Sequence, residues 1–414
     1  MAKPKFLIVS VLCFNLFYYS CEDNLDNQNI NDDKIITDSL TATEKSVVAS
    51  NNNFAFELFQ EINIQDTTEN MFISPLSIGM ALAMTFNGAD GETKEEMKAV
   101  LGFQNVADSS LNIAYQGVYD QLMDMDEKVN ISLANSIWYD QTFTVKQNFV
   151  DIIENYYDGI VSPIDISDPN SKDIINSWVE DKTNDKIHDL VKEIKSGDAM
   201  FLVNAIYFKA DWTYIFDENK TRETDFYRED GTIVTCQMMR SGEISIKNRY
   251  NDNFQLIELP YGNKQFGMVI IIPNTDKTPD DIIGILSVDD IDNMLSDTNR
   301  TAITVNMPKF KIEYEYLLND VLISMGMERA FDGSQAEFPL LLEEFKEGLF
   351  ISRVNHKAFI EVDEKGTEAA AATVVVITWE SATPEITIDR PFIYLIRENH
   401  TGAVLFIGKM DDPS

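Results

Sequence analysis

The side chains that could carry out catalysis are few and lie far apart in the chain. The three histidines, His188, His356 and His400, form no His-x-Glu-x-x-His arrangement, and there is no Cys-x-x-Cys pair, so the sequence predicts no metal site. Ser74 and His356 could imitate a hydrolase pair, but no nucleophile elbow, acid partner or oxyanion element accompanies them. A Gly-x-x-x-x-Gly-Lys phosphate loop is also missing. We therefore predict neither an enzyme nor a bound cofactor.

Residues 362–392 indicate a different kind of chemistry. The segment begins with charges and a glycine, continues through Ala369–Ala372 and reaches a β-branched run, Thr373–Thr378, before Pro384. Val, Ile and Thr favour a strand, but no turn signal provides a hairpin neighbour. Alanines favour a helix, yet this run is short and β-branched residues follow at once. We interpret the segment as a loop that could enter an existing sheet as a new strand.

This segment resembles the reactive-centre loop and hinge of inhibitory serpins through the sequence EKGTEAAAA, Glu364–Ala372. Other motifs between about residue 50 and residue 414 are similar to serpins in content and order: Phe72–Ile78, Asn204–Trp212, Met238–Met239, Met307–Phe310, Ser324–Met327, Ala330–Phe331 and Arg390–Ile396. The resemblance implies the serpin fold, with a large central β-sheet, additional sheets, about eight or nine helices and an exposed reactive-centre loop. Hydrophobic patterns also indicate an α+β protein, because helices dominate the first half and strands the second.

The resemblance implies a suicide-substrate inhibitor that forms a covalent acyl-enzyme with an extracellular serine endopeptidase, or with a cysteine protease. Family spacing places the reactive bond at Glu380–Ser381, with the bonds after Val376, Ile377, Thr378 and Trp379 as alternatives. The hinge comprises Glu364, Gly366, Thr367, Glu368, Ala369, Ala370, Ala371 and Ala372. From Thr367 to Ile377, one face of the future strand is small or β-branched, without charge or proline. The alternative is a non-inhibitory serpin, either a carrier protein or a plain protease substrate.

The resemblance also assigns roles outside the loop. Ser74, Ser77, Asn204 and His356 match a polar cluster beneath the point where the central sheet parts. Trp212 matches the position where the loop first enters the sheet, and Lys277 is expected to pair with Glu364. Without the resemblance, His356 and Trp212 would be interpreted as ordinary core residues, and Ser74 as a helix cap.

Composition narrows the range of partners. The 414 residues carry a formal net charge of −36 and are 44% hydrophobic, so a sizeable core is expected. Nucleic acids and anionic membrane surfaces are excluded as partners, because binding them requires basic patches. Cys236 is the one cysteine outside the N-terminal segment, and we expect it to be a buried, unreactive thiol. We expect a monomer.

The N-terminus has the form of an export signal. Lys3 and Lys5 precede an apolar run that is too short to span a bilayer. We predict a signal peptide over residues 1–20, a flexible acidic tether over 21–50 and a serpin domain over 51–414. Ser20–Asp23 resembles a bacterial lipoprotein site, so Cys21 is a candidate for lipidation and simple cleavage with secretion is the alternative. Either outcome gives a secreted or cell-surface protein that touches a membrane only through a lipid on Cys21.

Overall fold

Helices and strands occur largely where the hydrophobic patterns predict them. A computed structural model describes residues 40–344, 348–367 and 384–414. The helices of these residues are α1 Ala42–Gln65, α2 Pro75–Phe86, α3 Gly91–Val100, α4 Asp108–Asp124, α5 Gln147–Tyr157, α6 Ser171–Lys182, α7 Pro279–Ile283, α8 Val288–Ser296 and α9 Asn319–Ser324.

The strands are more numerous in the second half of the chain. They are β1 Met71–Ile73, β2 Val129–Asp140, β3 Ile160–Ile164, β4 Met200–Asp211, β5 Arg222–Tyr227, β6 Ile233–Tyr250, β7 Phe254–Tyr261, β8 Phe266–Pro273, β9 Thr301–Pro308, β10 Phe310–Leu317, β11 Arg353–Val362, β12 Gly366–Thr367, β13 Glu385–Thr387, β14 Phe392–Glu398 and β15 Val404–Met410. The predicted α+β class is confirmed.

Helix α1 begins inside the segment that was predicted to be a flexible tether. The tether was predicted to extend to residue 50, and this boundary is wrong because α1 starts at Ala42. Thr41 and Glu44 form a reciprocal capping box at its N-terminus, and Val47 and Val48 are buried in the core. Burial of these two valines outweighs the polar composition around them.

The start of helix α2 is determined by Ser74 and Pro75, and Ser74 is the helix cap that its residue type predicts. Pro75 occupies the first turn, where its missing N–H costs nothing. Ser74 caps the helix, with its hydroxyl accepting a hydrogen bond from the Ser77 N–H at 3.4 Å. All twelve residues of α2 are buried, Ser77 among them, and the capping residue Ser74 is buried as well.

Two sheets form the body of the described structure. One has nine strands in the order β1-β15-β14-β8-β7-β6-β9-β13, with β5 pairing to β6, and the other has six in the order β10-β11-β12-β4-β2-β3. Strand β6 is the longest of these strands and has a bulge between Arg240 and Glu243 where it pairs with β9. Apolar side chains pack on both faces of the six-stranded sheet, the larger core on one face and a smaller one beneath α6 on the other.

Candidate functional site

The site lies where the two central strands of the six-stranded sheet separate. Strands β11 and β4 are parallel and pair directly from Arg353↔Phe201 to Phe359↔Tyr207. Beyond that point the two-residue strand β12 lies between them, with Thr367 opposite Val362 of β11 and Ala210 of β4. Both of these pairings are antiparallel. The sheet therefore already holds the first two residues of a strand inserted at its end.

A tight turn after β11 brings the chain back into this gap. The Asp363 N–H donates to the Gly366 carbonyl at 2.9 Å, and the Asp363 carboxylate accepts from the N–H groups of Lys365 and Gly366 at 2.9 and 3.2 Å. The segment after β4 holds the turn from outside. Trp212 donates its backbone N–H to the Lys365 carbonyl at 2.7 Å and its indole N–H to the Asp363 carbonyl at 2.9 Å.

Gly366 and Thr367 fit the gap for steric and polar reasons. A Cβ on Gly366 would lie 2.0 Å from the Ala210 carbonyl oxygen, so any larger residue would push β12 away from β4. Thr367 is fully buried, and its hydroxyl lies 2.8 Å from the Tyr261 hydroxyl. The Tyr261 ring stacks on Trp212 with a centroid distance of 4.3 Å. Trp212 therefore lies beside the gap, and Tyr261 is a contact that the sequence did not reveal.

The ion pair of Glu364 differs from the prediction. Its carboxylate binds the Lys309 ammonium at 2.8 Å and accepts a hydrogen bond from the Thr221 hydroxyl at 2.6 Å, so the predicted pairing with Lys277 was wrong. Lys309 lies here because Phe310, the next residue, pairs with Val362 at the end of β11. Lys277 lies in the turn after β8, where its field acts on Asp281.

The Glu364 carboxylate is almost completely buried yet remains ionised. Burial alone would raise its pKa, but hydrogen bonds from Lys309 and Thr221 outweigh that effect and hold the pKa below its ordinary value. The Phe216 N–H also donates to the Glu364 backbone carbonyl at 2.8 Å. Side chain and backbone contacts together fix Glu364 beside the gap.

The four residues predicted as a polar cluster do lie together, just below the point of separation. The His356 imidazole Nε2 accepts from the Ser74 backbone N–H at 3.2 Å, and its Nδ1 lies 2.6 Å from Asn204 Oδ1. The Asn204 amide donates to the Ser77 hydroxyl and to Asn135 Oδ1. His356 and Asn204 are direct partners across β11 and β4. This cross-strand contact must therefore break if the strands move apart at this level.

The His356 ring is neutral in this environment. Complete burial lowers its pKa to about 3. Since Nε2 accepts a hydrogen bond, the ring proton is on Nδ1 and is donated to Asn204. Asn135, on β2, is the member of this network that the sequence did not reveal. Its Nδ2 is buried and has no hydrogen-bond partner in the described structure, so the cluster has spare donor capacity beside the gap.

Several predicted site residues lie outside the described residues: Cys21, Glu368, Ala369, Ala370, Ala371, Ala372, Glu380 and Ser381. Within the described ranges, no group of three or more His, Cys, Asp or Glu side chains is placed to hold a metal ion. No helix in the same ranges combines the length and the apolar character needed to cross a membrane. Cys236 is buried, and burial raises the pKa of its thiol to about 11.

Residues 49–413 match the serpin (serine protease inhibitor) family. The chain belongs to the serpin family. An uncharacterised serpin-like protein of Thermococcus kodakarensis is 35% identical over 386 residues, covering 89% of this chain and 86% of that protein.

Two solved serpin structures show the same fold. The thermophilic serpin tengpin in its native state superposes with a TM-score of 0.82 at 32% identity, covering 88% of this chain and 94% of tengpin. Human thyroxine-binding globulin with its bound hormone gives a TM-score of 0.84 at 28% identity, covering 90% and 100% of the two chains. The predicted serpin fold is thereby confirmed, and the members of this family are typically protease inhibitors.

Proposed function

We propose that this serpin is a suicide-substrate inhibitor of an extracellular serine endopeptidase, with cysteine proteases as further targets. The protease nucleophile attacks the Glu380 carbonyl carbon, the Glu380–Ser381 peptide bond breaks, and the new amino group of Ser381 leaves with a proton. The cut frees the loop, which continues β12 between β11 and β4. The attached protease is carried along and distorted before water can release it.

The observation that carries this proposal is the position of β12. Thr367 already bridges β11 and β4 in antiparallel register with both strands, and Gly366 pairs with Asp211 of β4. Each further residue that enters has a strand on either side of it. Every second residue after Thr367, up to Ile377, has a small or β-branched side chain. In a continued strand these side chains would share the face on which Thr367 is buried, so they would fit the core there.

The polar cluster supports opening of the sheet at the same place. His356 and Asn204 hold β11 and β4 together with polar side chains rather than with packed apolar ones. Hydrogen bonds can be exchanged as the strands part, whereas an interdigitated apolar contact would leave a void. In the fixed register, Thr373 would arrive between His356 and Asn204 and offer its hydroxyl to both.

Insertion supplies the free energy for trapping the protease. About a dozen new ladder hydrogen bonds at roughly 0.5–1.5 kcal/mol net each contribute on the order of 10 kcal/mol. That is comparable with the whole stability of a typical protease domain, about 5–15 kcal/mol. The intact inhibitor must then be held by a kinetic barrier.

The cellular setting is part of the proposal. Residues 1–20 act as a signal peptide, and Cys21 is lipidated so that the serpin stays at the cell surface as a monomer. Metabolic labelling with a fatty-acid analogue tests this directly. Label lost in Cys21→Ser is the expected outcome, whereas an unlabelled, freely secreted wild-type protein would contradict the anchor.

The inhibitor proposal is tested by mixing the purified protein with serine proteases of different specificity and running a denaturing gel. A covalent adduct that survives boiling is expected, first of all with a protease that cuts after glutamate. Mass spectrometry of the released fragment should show Ser381 as its N-terminus, and Glu380→Lys should shift inhibition to a protease that cuts after lysine. A catalytically dead protease is the control, because it cannot form the acyl bond.

A carrier function is the alternative, supported by the likeness to thyroxine-binding globulin. It predicts clean cleavage of the loop without any adduct. Thermal melting provides the second criterion. The nicked inhibitor should melt well above the intact protein, and equal melting temperatures would refute insertion.

A further inference from the structure

Strand β10 forms an open edge of the six-stranded sheet. It pairs with β11 from Phe310↔Val362 to Leu317↔Asn355 without a bulge, and no strand of the described residues pairs with its other side. Natural edge strands are usually short, bulged, charged or covered, because an open edge can pair with another chain. This edge runs for eight residues without interruption, so it is a candidate site for the addition of a strand.

The phase of the β10–β11 pairing fixes which backbone groups of β10 face outward. The Leu318 N–H donates to the Val354 carbonyl at 3.0 Å in the same register, and in an antiparallel pair every second residue makes such bonds. The residues whose N–H and carbonyl groups therefore face outward are Lys311, Glu313 and Glu315. Lys309, in the same phase, donates its N–H to the Gln237 carbonyl of β6 at 2.8 Å. Among the described residues, no hydrogen bond occupies the outward backbone groups of the three residues that follow.

The charged side chains of β10 do not close this edge. Each of them is held in an ion pair within the protein, Lys311–Glu361 at 3.8 Å, Glu313–Lys357 at 2.5 Å and Glu315–Lys192 at 2.9 Å. The Lys311 ammonium also lies 5.2 Å from the centre of the Phe359 ring, which belongs to the smaller core. These side chains thus lie on the face of the smaller core and leave the outward backbone groups open.

On the opposite face, a groove of about 380 Å³ lies beside the edge. Asp66, Thr68 and Asn70, which follow α1, line it together with β10. The rings of Tyr314 and Tyr316 stack there with a centroid distance of 6.0 Å, and the Tyr314 hydroxyl donates to the Asp66 carboxylate at 2.5 Å. Its volume falls within the range of roughly 300–1,000 Å³ that is typical of ligand sites.

The surroundings of the two tyrosines are acidic. Burial and the fields of Asp66, Asp320 and Glu61 raise the pKa of Tyr316. A cation is attracted both by the face of an aromatic ring and by nearby carboxylates. The groove therefore suits a guanidinium or an ammonium group.

We propose that the β10 edge binds an extended segment of a partner protein as an added antiparallel strand, with an arginine or lysine side chain of that segment in the groove beside Tyr314 and Tyr316. The backbone of the segment bonds to the outward groups of β10, and its cation lies near Asp66. A basic segment also complements a chain with a formal net charge of −36. The edge lies on the far side of β11 from the gap, so this surface does not depend on the proposed inhibitor function.

The probe is a short synthetic peptide that alternates threonine and arginine, and fluorescence anisotropy measures its binding to the full-length protein at low salt. Residues directly opposite each other share a face, so arginines in the groove lie opposite the even-numbered residues of β10 and the threonines bond to the outward groups. N-methylation of the threonine amides should abolish binding, whereas N-methylation of the arginine amides should not. Amide exchange should slow on binding at Lys311, Glu313 and Glu315 and stay unchanged at Ile312.

Two variants separate the backbone from the charge. Glu313→Pro removes one outward N–H without touching the β11 ladder and should weaken binding at least about fivefold. Glu313→Ala is the matched control, which keeps that N–H and should bind like the wild type. Asp66→Asn keeps an acceptor for the Tyr314 hydroxyl and should weaken binding about two- to fivefold, and high salt should do the same.

Three results would overturn the proposal. Equal binding of the two N-methylated peptides would exclude strand addition, and equal binding of a peptide with glutamate in place of arginine would exclude a basic partner. Dimerisation of the protein alone, with the same three outward amides protected, would make a second copy the occupant of the edge. Adduct formation with a protease is measured separately, so the failure of either proposal is distinguishable from the failure of the other.

Discussion

Replacing Thr367 with arginine should convert the inhibitor into a substrate. Thr367 is fully buried between Val362 and Ala210, and its hydroxyl contacts that of Tyr261. Arginine at this position would have to bury a guanidinium where the structure provides a tyrosine hydroxyl. The intact protein can avoid this cost by leaving β12 outside the gap, so its fold should survive. The nicked protein must bury the guanidinium in order to insert its loop.

The size of the effect follows from the burial of Thr367. An uncompensated buried charge costs about 3–5 kcal/mol. Taking about 3 kcal/mol as the penalty in the insertion step, insertion slows by roughly a hundredfold, since each 1.36 kcal/mol corresponds to a factor of ten in rate. Hydrolysis of the acyl-enzyme, which the substitution does not affect, then occurs first.

The assay is the ratio of covalent adduct to nicked inhibitor on a denaturing gel after complete reaction with the protease. Thr367→Arg should give almost entirely nicked inhibitor at an unchanged rate of loop cleavage. Thr367→Val is the matched control. It keeps the shape, loses one hydrogen bond worth about 1 kcal/mol and should still form adduct. Wild-type adduct yield from Thr367→Arg would refute the assignment of β12 as the leading end of the insertion.

Three further predictions concern the surroundings of the gap. The pKa of His356 is about 3 in the folded protein and 6.5 in the unfolded chain, so the stabilisation from its neutral ring is complete above pH 6.5 and declines as the pH falls towards 3. Urea unfolding should therefore show that the free energy of unfolding falls by about 2 kcal/mol between pH 7 and pH 5. The variant His356→Gln should lack this decrease. Lys309→Met should lower the free energy of unfolding by about 1 kcal/mol, because it removes the ionic partner of Glu364. Thermal melting measures this effect, and an equal effect of Lys277→Met would contradict the observed pairing. Gly366→Ala should expel β12 because of its clash with the β4 backbone, seen as faster amide exchange at residues 366–367; unchanged exchange would count against that clash.

Local signals in the sequence predict the start of α2 correctly. The capping signal at the start of α1 is also present in the sequence, but the prediction did not use it. Ser74 followed by Pro75 predicts the start of α2, and the structure agrees. The start of α1 was misplaced, although Thr41 and Glu44 stand at capping-box spacing. The asparagines and serines around them suggested a tether. The helix forms here because Val47 and Val48 are buried in the core. Their burial depends on residues far away in the chain, which a local sequence pattern does not include.

Pairings between distant segments were harder to infer. The resemblance predicted Lys277 as the partner of Glu364, whereas the register Phe310↔Val362 brings Lys309 to that carboxylate. Asn135 and Tyr261 carry no local signal of their roles. They become part of the site only because β2 pairs with β4 and β7 ends beside Trp212.

The sequence by itself determined the family, the α+β class, the members of the polar cluster and the small or β-branched residues at every second position from Thr367 to Ile377. Motif order and strand alternation are properties of the chain. Only the tertiary structure decided that Gly366 and Thr367 already lie in the sheet and that Lys309 binds the Glu364 carboxylate. These are questions of register between strands far apart in the chain. A shift of one residue would turn every inserting side chain to the opposite face.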